Sequence, residues 1–161
     1  MGGPQEPTRE LEYLLRQINH VINHSTRSYL AERGLTMPRF WVLSNMVANR
    51  PLTMGELQRR LLQAPGTVTG LVDGLVEEGL VRRWRDENDR RLVFLALTPE
   101  GERFLEEILQ FRAAVLEKAL VALDVGAIEG LNKELSLILK NLKNQFPCKT
   151  GCKADRGTEA V

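Results

Sequence analysis

The sequence predicts a mainly α fold with a small β-hairpin, in the order α-α-α-α-β-β-α-α. Three features carry that prediction. Apolar residues recur at three- and four-residue steps through most of the chain, the period of an amphipathic helix. That period breaks once, where Leu80–Arg85 and Leu92–Leu97 form extended runs rich in Val, Leu, Phe and Trp. Between these runs lies Asp86-Glu87-Asn88-Asp89-Arg90, a polar stretch of turn-forming residues.

The first helix is expected over residues 8–33, because Leu11, Leu14, Leu15, Ile18, Val21, Ile22, Ser25 and Tyr29 fall on one stripe. Gly34 is its stop. Thr36-Met37-Pro38 opens a second helix with Phe40, Trp41, Leu43, Val47 and Ala48 as its apolar surface. Asn49-Arg50-Pro51 should end it, since the residue before proline avoids helical dihedrals. Thr53-Met54-Gly55-Glu56 is a capping-box pattern and starts a short third helix through about Leu61. Pro65-Gly66-Thr67 starts a fourth, with Val68, Leu71, Val72, Leu75 and Val76 inward and Gly79 as its stop. After the hairpin, Thr98-Pro99-Glu100 supplies a hydroxyl cap, a first-turn proline and an acid, opening a helix to about Leu123. Asp124-Val125-Gly126 breaks it. Leu131, Leu135, Ile138 and Leu142 then form a narrow seam of the kind used between helices.

A chain of 161 residues is long enough for one core and short for two. The formal net charge of +1 gives no sign of a nucleic-acid partner, so any such role rests on local charge. No apolar run is long enough to cross a membrane, and the N-terminus lacks the pattern of a secretory signal, so a cytoplasmic protein is expected. No dinucleotide, P-loop, nucleophile-elbow or zinc-protease motif is present, which argues against an enzyme, and no cofactor is expected.

A short helix, a tight turn and a second helix before a hairpin make a winged helix-turn-helix order. The segments Leu35–Leu43 (LTMPRFWVL), Leu52–Leu61 (LTMGELQRRL), Gly66–Arg83 (GTVTGLVDGLVEEGLVRR) and Asp86–Gly101 (DENDRRLVFLALTPEG) sharpen it. Together they resemble the MarR family of transcriptional regulators, over roughly residues 8–146. The resemblance implies a homodimer on a palindromic site of double-stranded DNA. It divides the chain into a helical dimerisation region (8–34 and 99–146) and a winged DNA-binding region (35–98). Residues 147–161, polar and without apolar period, are expected to be disordered. The leucine seam and the first-helix stripe support dimerisation independently, because they exceed what a small winged domain can bury.

The fourth helix is the candidate recognition helix, with Pro65, Gly66, Thr67, Thr69 and Gly70 as DNA-binding residues. Threonine can meet base edges or a thymine methyl, and a helix N-terminus can take a phosphate. Its outward face, read as Thr67, Thr69, Gly70, Asp73, Gly74 and Glu77, has no cation where the family carries Arg or Lys. The wing must then supply charge, through Arg82, Arg83, Arg85, Arg90 and Arg91. By resemblance Arg91 enters the minor groove, whose negative potential suits arginine, and Asp89 orients it. Arg39, Arg59 and Arg60 are candidate phosphate contacts.

His20 and His24 have metal-ligand spacing but no third ligand in view, so no metal is expected. Family resemblance suggests a small aromatic or anionic effector in a crevice lined by His20, His24, Tyr29, Trp41 and Met46, although such side chains more often form core. Cys148 and Cys152, beside Lys149 and Lys153, are candidates for a redox switch. The alternatives to an effector-released repressor are a redox-sensing regulator and a degenerate winged helix that binds protein.

Overall fold

The structure, a computed structural model, describes residues 6–46 and 50–146. The elements are α1 (Glu6–Ala31), α2 (Met37–Ser44), β1 (Leu52–Thr53), α3 (Met54–Leu61), α4 (Pro65–Glu77), β2 (Val81–Arg85), β3 (Val93–Leu97), α5 (Pro99–Leu120) and α6 (Val125–Gln145).

Local signals set most boundaries. Gly34 (φ +72°) and Gly79 (φ +73°) take the left-handed conformation that ends a helix. At each, two amides turn back on the last carbonyls. Gly34 and Leu35 donate to Ala31 and Leu30, and Gly79 and Leu80 donate to Val76 and Leu75. Leu30 with Leu35, and Leu75 with Leu80, are buried on either side of the turn. The capping box of α3 forms in full. Thr53 Oγ1 accepts from the Glu56 amide at 3.2 Å, and Glu56 Oε2 accepts from the Thr53 amide at 2.7 Å.

Elsewhere the structure departs from expectation. α2 ends at Ser44, because the Asn45 amide side chain donates to the Trp41 carbonyl at 2.8 Å and offers the backbone an alternative to another turn. Val47, Ala48 and Asn49, expected within that helix, lie outside the described residues. α5 stops at Leu120 rather than Leu123. Asp124, expected in the break, is the N-cap of α6 and accepts from the Ala127 amide at 2.8 Å. The expected hairpin is part of an antiparallel three-stranded sheet, β1-β3-β2, in which Leu52 and Thr53 pair with Leu95 and Phe94.

One core runs through the winged part, built on Phe40, Leu43, Leu57, Val68, Val72, Leu75, Val81 and Leu95. It extends to Leu30 at the end of α1 and to Leu105 and Ile108 of α5. Beyond it the long helices are bare. Leu11, Leu14, Leu15, Ile18 and Val21 of α1 are 40–57% exposed, and α6 has no buried residue.

The wing joins α5 by close backbone contact. Thr98 Oγ1 donates to the Gly79 carbonyl at 2.7 Å and accepts from the Gly101 amide at 3.0 Å. The Thr98 amide donates to the Leu80 carbonyl at 3.1 Å. A Cβ on Gly101 would stand 1.9 Å from that carbonyl oxygen, so only glycine fits here. The L-T-x-x-G spacing is therefore the geometry of this junction.

Candidate nucleic-acid interface

α4 buries Val68, Val72 and Leu75 against the core, which turns Pro65, Gly66, Thr67 and Gly70 outward, all exposed. A Cβ on Gly66 or Gly70 would meet nothing within 4 Å, so this face is bare backbone. The Thr67 hydroxyl makes no hydrogen bond among the described residues, while the Thr69 hydroxyl donates to the Pro65 carbonyl at 2.9 Å. Thr69 keeps its lone pairs and methyl for an outside partner, but its proton is engaged. Ahead of α4, Leu62 holds the left-handed region (φ 51°, ψ 34°) and is 87% exposed in the turn from α3. That conformation is uncommon for a bulky residue.

Two residues expected outward on α4 are occupied. Gly74 is buried beneath the guanidinium of Arg39 from α2, which pairs with Glu78. Asp73 accepts from Arg83 of β2 at 2.5 Å. Thus Arg39 and Arg83 are both committed to acids on or next to α4. Arg60 likewise donates to the Asn45 carbonyl at 2.9 Å.

The hairpin register sets Arg82, Arg83, Trp84 and Arg85 opposite Ala96, Leu95, Phe94 and Val93. Side chains alternate along a strand, so Arg83 faces α4 while Arg82 and Trp84 share the other face. There Arg82 lies 4.9 Å from the Trp84 ring, which stacks on Phe94 at 5.8 Å. Asp86 organises the tip by accepting from the amides of Asn88 and Asp89 at 2.9 and 2.8 Å. Asp89 Oδ1 accepts from the Arg91 amide at 3.0 Å, so it orients Arg91 through the main chain rather than through the guanidinium. The side chains of Arg90 and Arg91 are exposed and have no ion-pair partner among the described residues.

The residues expected to line an effector crevice are not equivalent. His20 and His24 are exposed, Tyr29 and Trp41 half-buried, and Met46 buried. Tyr29 stacks on Phe111 at 4.1 Å and carries Arg33 on its other side at 3.6 Å. Among the described residues no group of three or more His, Cys, Asp or Glu is placed to hold a metal ion. Cys148 and Cys152 lie outside the described residues.

Sequence reasoning passed over Arg112. This α5 residue donates to Thr26 Oγ1 at 2.8 Å and Asn23 Oδ1 at 3.1 Å of α1, and lies 5.5 Å from the Phe40 ring of α2. Burial pushes its pKa below the usual arginine value, and no carboxylate among the described residues pairs with it. The available signal was a lone arginine inside the apolar run Phe111–Leu116.

Comparison with known proteins agrees with this fold. Residues 33–92 match the model of the MarR family. The chain is 30% identical over 142 residues to YsmB, an uncharacterized HTH-type transcriptional regulator of Bacillus subtilis, covering 88% of this chain and 97% of that one. It is 35% identical over 110 residues to the HTH-type transcriptional repressor YetL of the same organism, covering 67% of this chain and 64% of that one. Among solved structures, a MarR family protein from Bacillus stearothermophilus superposes with a TM-score of 0.77 at 30% identity, covering 88% of this chain and 99% of that one. No helix among the described residues is long and apolar enough to cross a membrane.

Proposed function

The chain belongs to the MarR family of transcriptional regulators, and we propose that it is a cytoplasmic, sequence-specific DNA-binding repressor that acts as a homodimer on a palindromic site. The observation that carries this reading is the wing tip. Arg90 and Arg91 are exposed, without ion-pair partners among the described residues, on a loop fixed by Asp86 and Asp89. An arginine presented in this way suits a narrow minor groove. The exposed N-terminal turns of α4, with Thr67 and the bare Gly66 and Gly70, fit the major groove at close range. Repression is favoured by the likeness to YetL, itself a repressor.

Dimerisation rests on the outer helices. The exposed stripe of α1 and the leucines of α6 form apolar surface that a monomer rarely leaves in water. A second copy would bury it and set two winged parts at a fixed spacing. Release by a small aromatic carboxylate is the regulatory reading. It is supported by Arg112, a half-buried cation with no carboxylate partner among the described residues where α1, α2 and α5 meet.

Sequencing the genomic fragments that the protein retains, then titrating one of them against salt, tests the DNA reading. A shared inverted repeat is expected, with log K falling linearly in log salt by nearly one unit per phosphate contacted. Retention of no duplex at low salt would leave the winged part a protein-binding module. For the effector, millimolar aromatic carboxylates should weaken binding and change Trp41 fluorescence. A broad panel without effect removes that part alone.

A further inference from the structure

α4 contains no lysine or arginine of its own, so every cation on its surface is brought by a neighbour. Arg83 arrives from the wing and is held by Asp73. Arg39 arrives from α2 by a less ordinary route, across the backbone of Gly74. A Cβ at Gly74 would come within 2.3 Å of its Nη2 and 2.9 Å of its Cζ. The glycine is therefore a slot through which a side chain rooted in another helix is displayed on α4. The slot lies one turn beyond Gly70, which is open.

Arg39 is held there by one contact, from Nη1 to Glu78. Its Nε and Nη2 make no hydrogen bond among the described residues. The side chains of Arg39 and Glu78 remain 28% and 38% exposed. Water and salt screen such a pair, so a phosphate of the densely charged DNA backbone can take the place of the carboxylate. A phosphate diester accepts a guanidinium in paired hydrogen bonds, and Arg39 still has donors to give.

We propose that Arg39 is the borrowed cation of the recognition helix: it takes a DNA phosphate beside α4, with Gly74 as its slot and Glu78 as the internal competitor that sets its strength. This rests on the DNA-binding reading above. A purely mechanical clasp between α2 and α4 predicts different signs for the same substitutions, which makes the two separable.

The test uses a duplex selected from a random library by the full-length parent, titrated by fluorescence anisotropy at several salt concentrations, with thermal melts of each variant. Arg39→Ala should weaken binding about tenfold and lower the salt slope by nearly one unit per half-site. Gly74→Ala should weaken it in the same direction without lowering the melting temperature, because alanine is the better helix former and only the flexible end of Arg39 must move. Glu78→Gln should do the opposite, tightening binding several-fold and steepening the slope. If Arg39→Ala and Gly74→Ala bind like the parent, or Glu78→Gln weakens binding, the proposal is overturned and the clasp stands. If the parent itself selects no duplex, the DNA-binding reading fails and this proposal with it.

Discussion

Within the winged part, between Leu35 and Leu97, Phe40, Val42, Leu43, Leu57, Val68, Val72, Leu75 and Leu95 have almost no exposed surface. On α6 the seam of Leu131, Leu135, Ile138 and Leu142 recurs at similar helical steps, yet Leu131 and Leu142 are 45% and 50% exposed and Leu135 and Ile138 only half-buried. The spacing is alike and the outcome opposite. In the first region three helices and a sheet surround each apolar stripe; in the second, the described residues leave it half open. The winged part closes its core with only the adjoining parts of α1 and α5, whereas the outer helices keep apolar stripe for the second copy proposed above.

The largest effect expected from this comparison is on assembly. Leu131→Asp combined with Leu142→Asp should convert a dimer to monomer while the winged part stays folded. Four leucines per dimer, at about 1–2 kcal/mol each for the remaining burial, amount to about 4–8 kcal/mol of dimer free energy. Sedimentation equilibrium reads the mass and circular dichroism the fold. An unchanged mass would place the interface elsewhere.

Gly101→Ala strikes the seam between the two regions. The added methyl meets the Leu80 carbonyl oxygen, which is backbone and cannot swing aside. Overpacking of this kind costs about 1–3 kcal/mol, so the melting temperature should fall by several degrees. A melt equal to the parent would mean that α5 shifts without penalty, and that the two regions are less firmly joined than they look.

Substitutions on the proposed DNA face should leave the core intact. Arg91→Ala is expected to weaken DNA binding by about 1–3 kcal/mol per half-site with the melt unchanged. Thr67→Ala should instead lose preference for the selected duplex over a scrambled one, with little change in salt slope. Parallel salt titrations of both variants distinguish the roles, and equal losses on both duplexes for Thr67→Ala would make it a phosphate contact.

The smallest effect is local to the winged part. Removing the Thr53 cap with Thr53→Ala should cost about 1 kcal/mol. Its partner Glu56 carries a pH signature. The hydrogen bond from the Thr53 backbone holds the Glu56 carboxyl below its ordinary value of 4.5, against an opposing push from burial. A carboxylate with a lowered folded-state pKa contributes stability that is full above 4.5 and is lost as pH falls through the lowered value. Denaturant melts of parent and Glu56→Gln from pH 7 downward should therefore converge in acid, and a constant gap between them would rule the linkage out.

Much of this architecture was legible because its signals are local. A Schellman turn, a capping box and an apolar stripe each involve residues no more than a turn or two apart, so Gly34, Thr53-x-x-Glu56 and Val68-x-x-Leu71-Val72 announce themselves in the sequence. Strand β1 did not, since two residues cannot show a period and Leu52–Thr53 become a strand only through Leu95 and Phe94. Nor did the roles of the glycines. In sequence Gly66, Gly70 and Gly74 form one repeating stripe, but tertiary packing leaves the first two open and fills the third with Arg39. Local chemistry alone set the order of elements, most of their caps and the surplus of apolar stripe on the long helices. Which arginines are held by Asp73 and Glu78, and which have no ion-pair partner among the described residues at the wing tip, was settled by packing. The physical reason is range: backbone dihedrals and periodicity act over a few residues, whereas an ion pair or a close backbone approach depends on where distant segments meet.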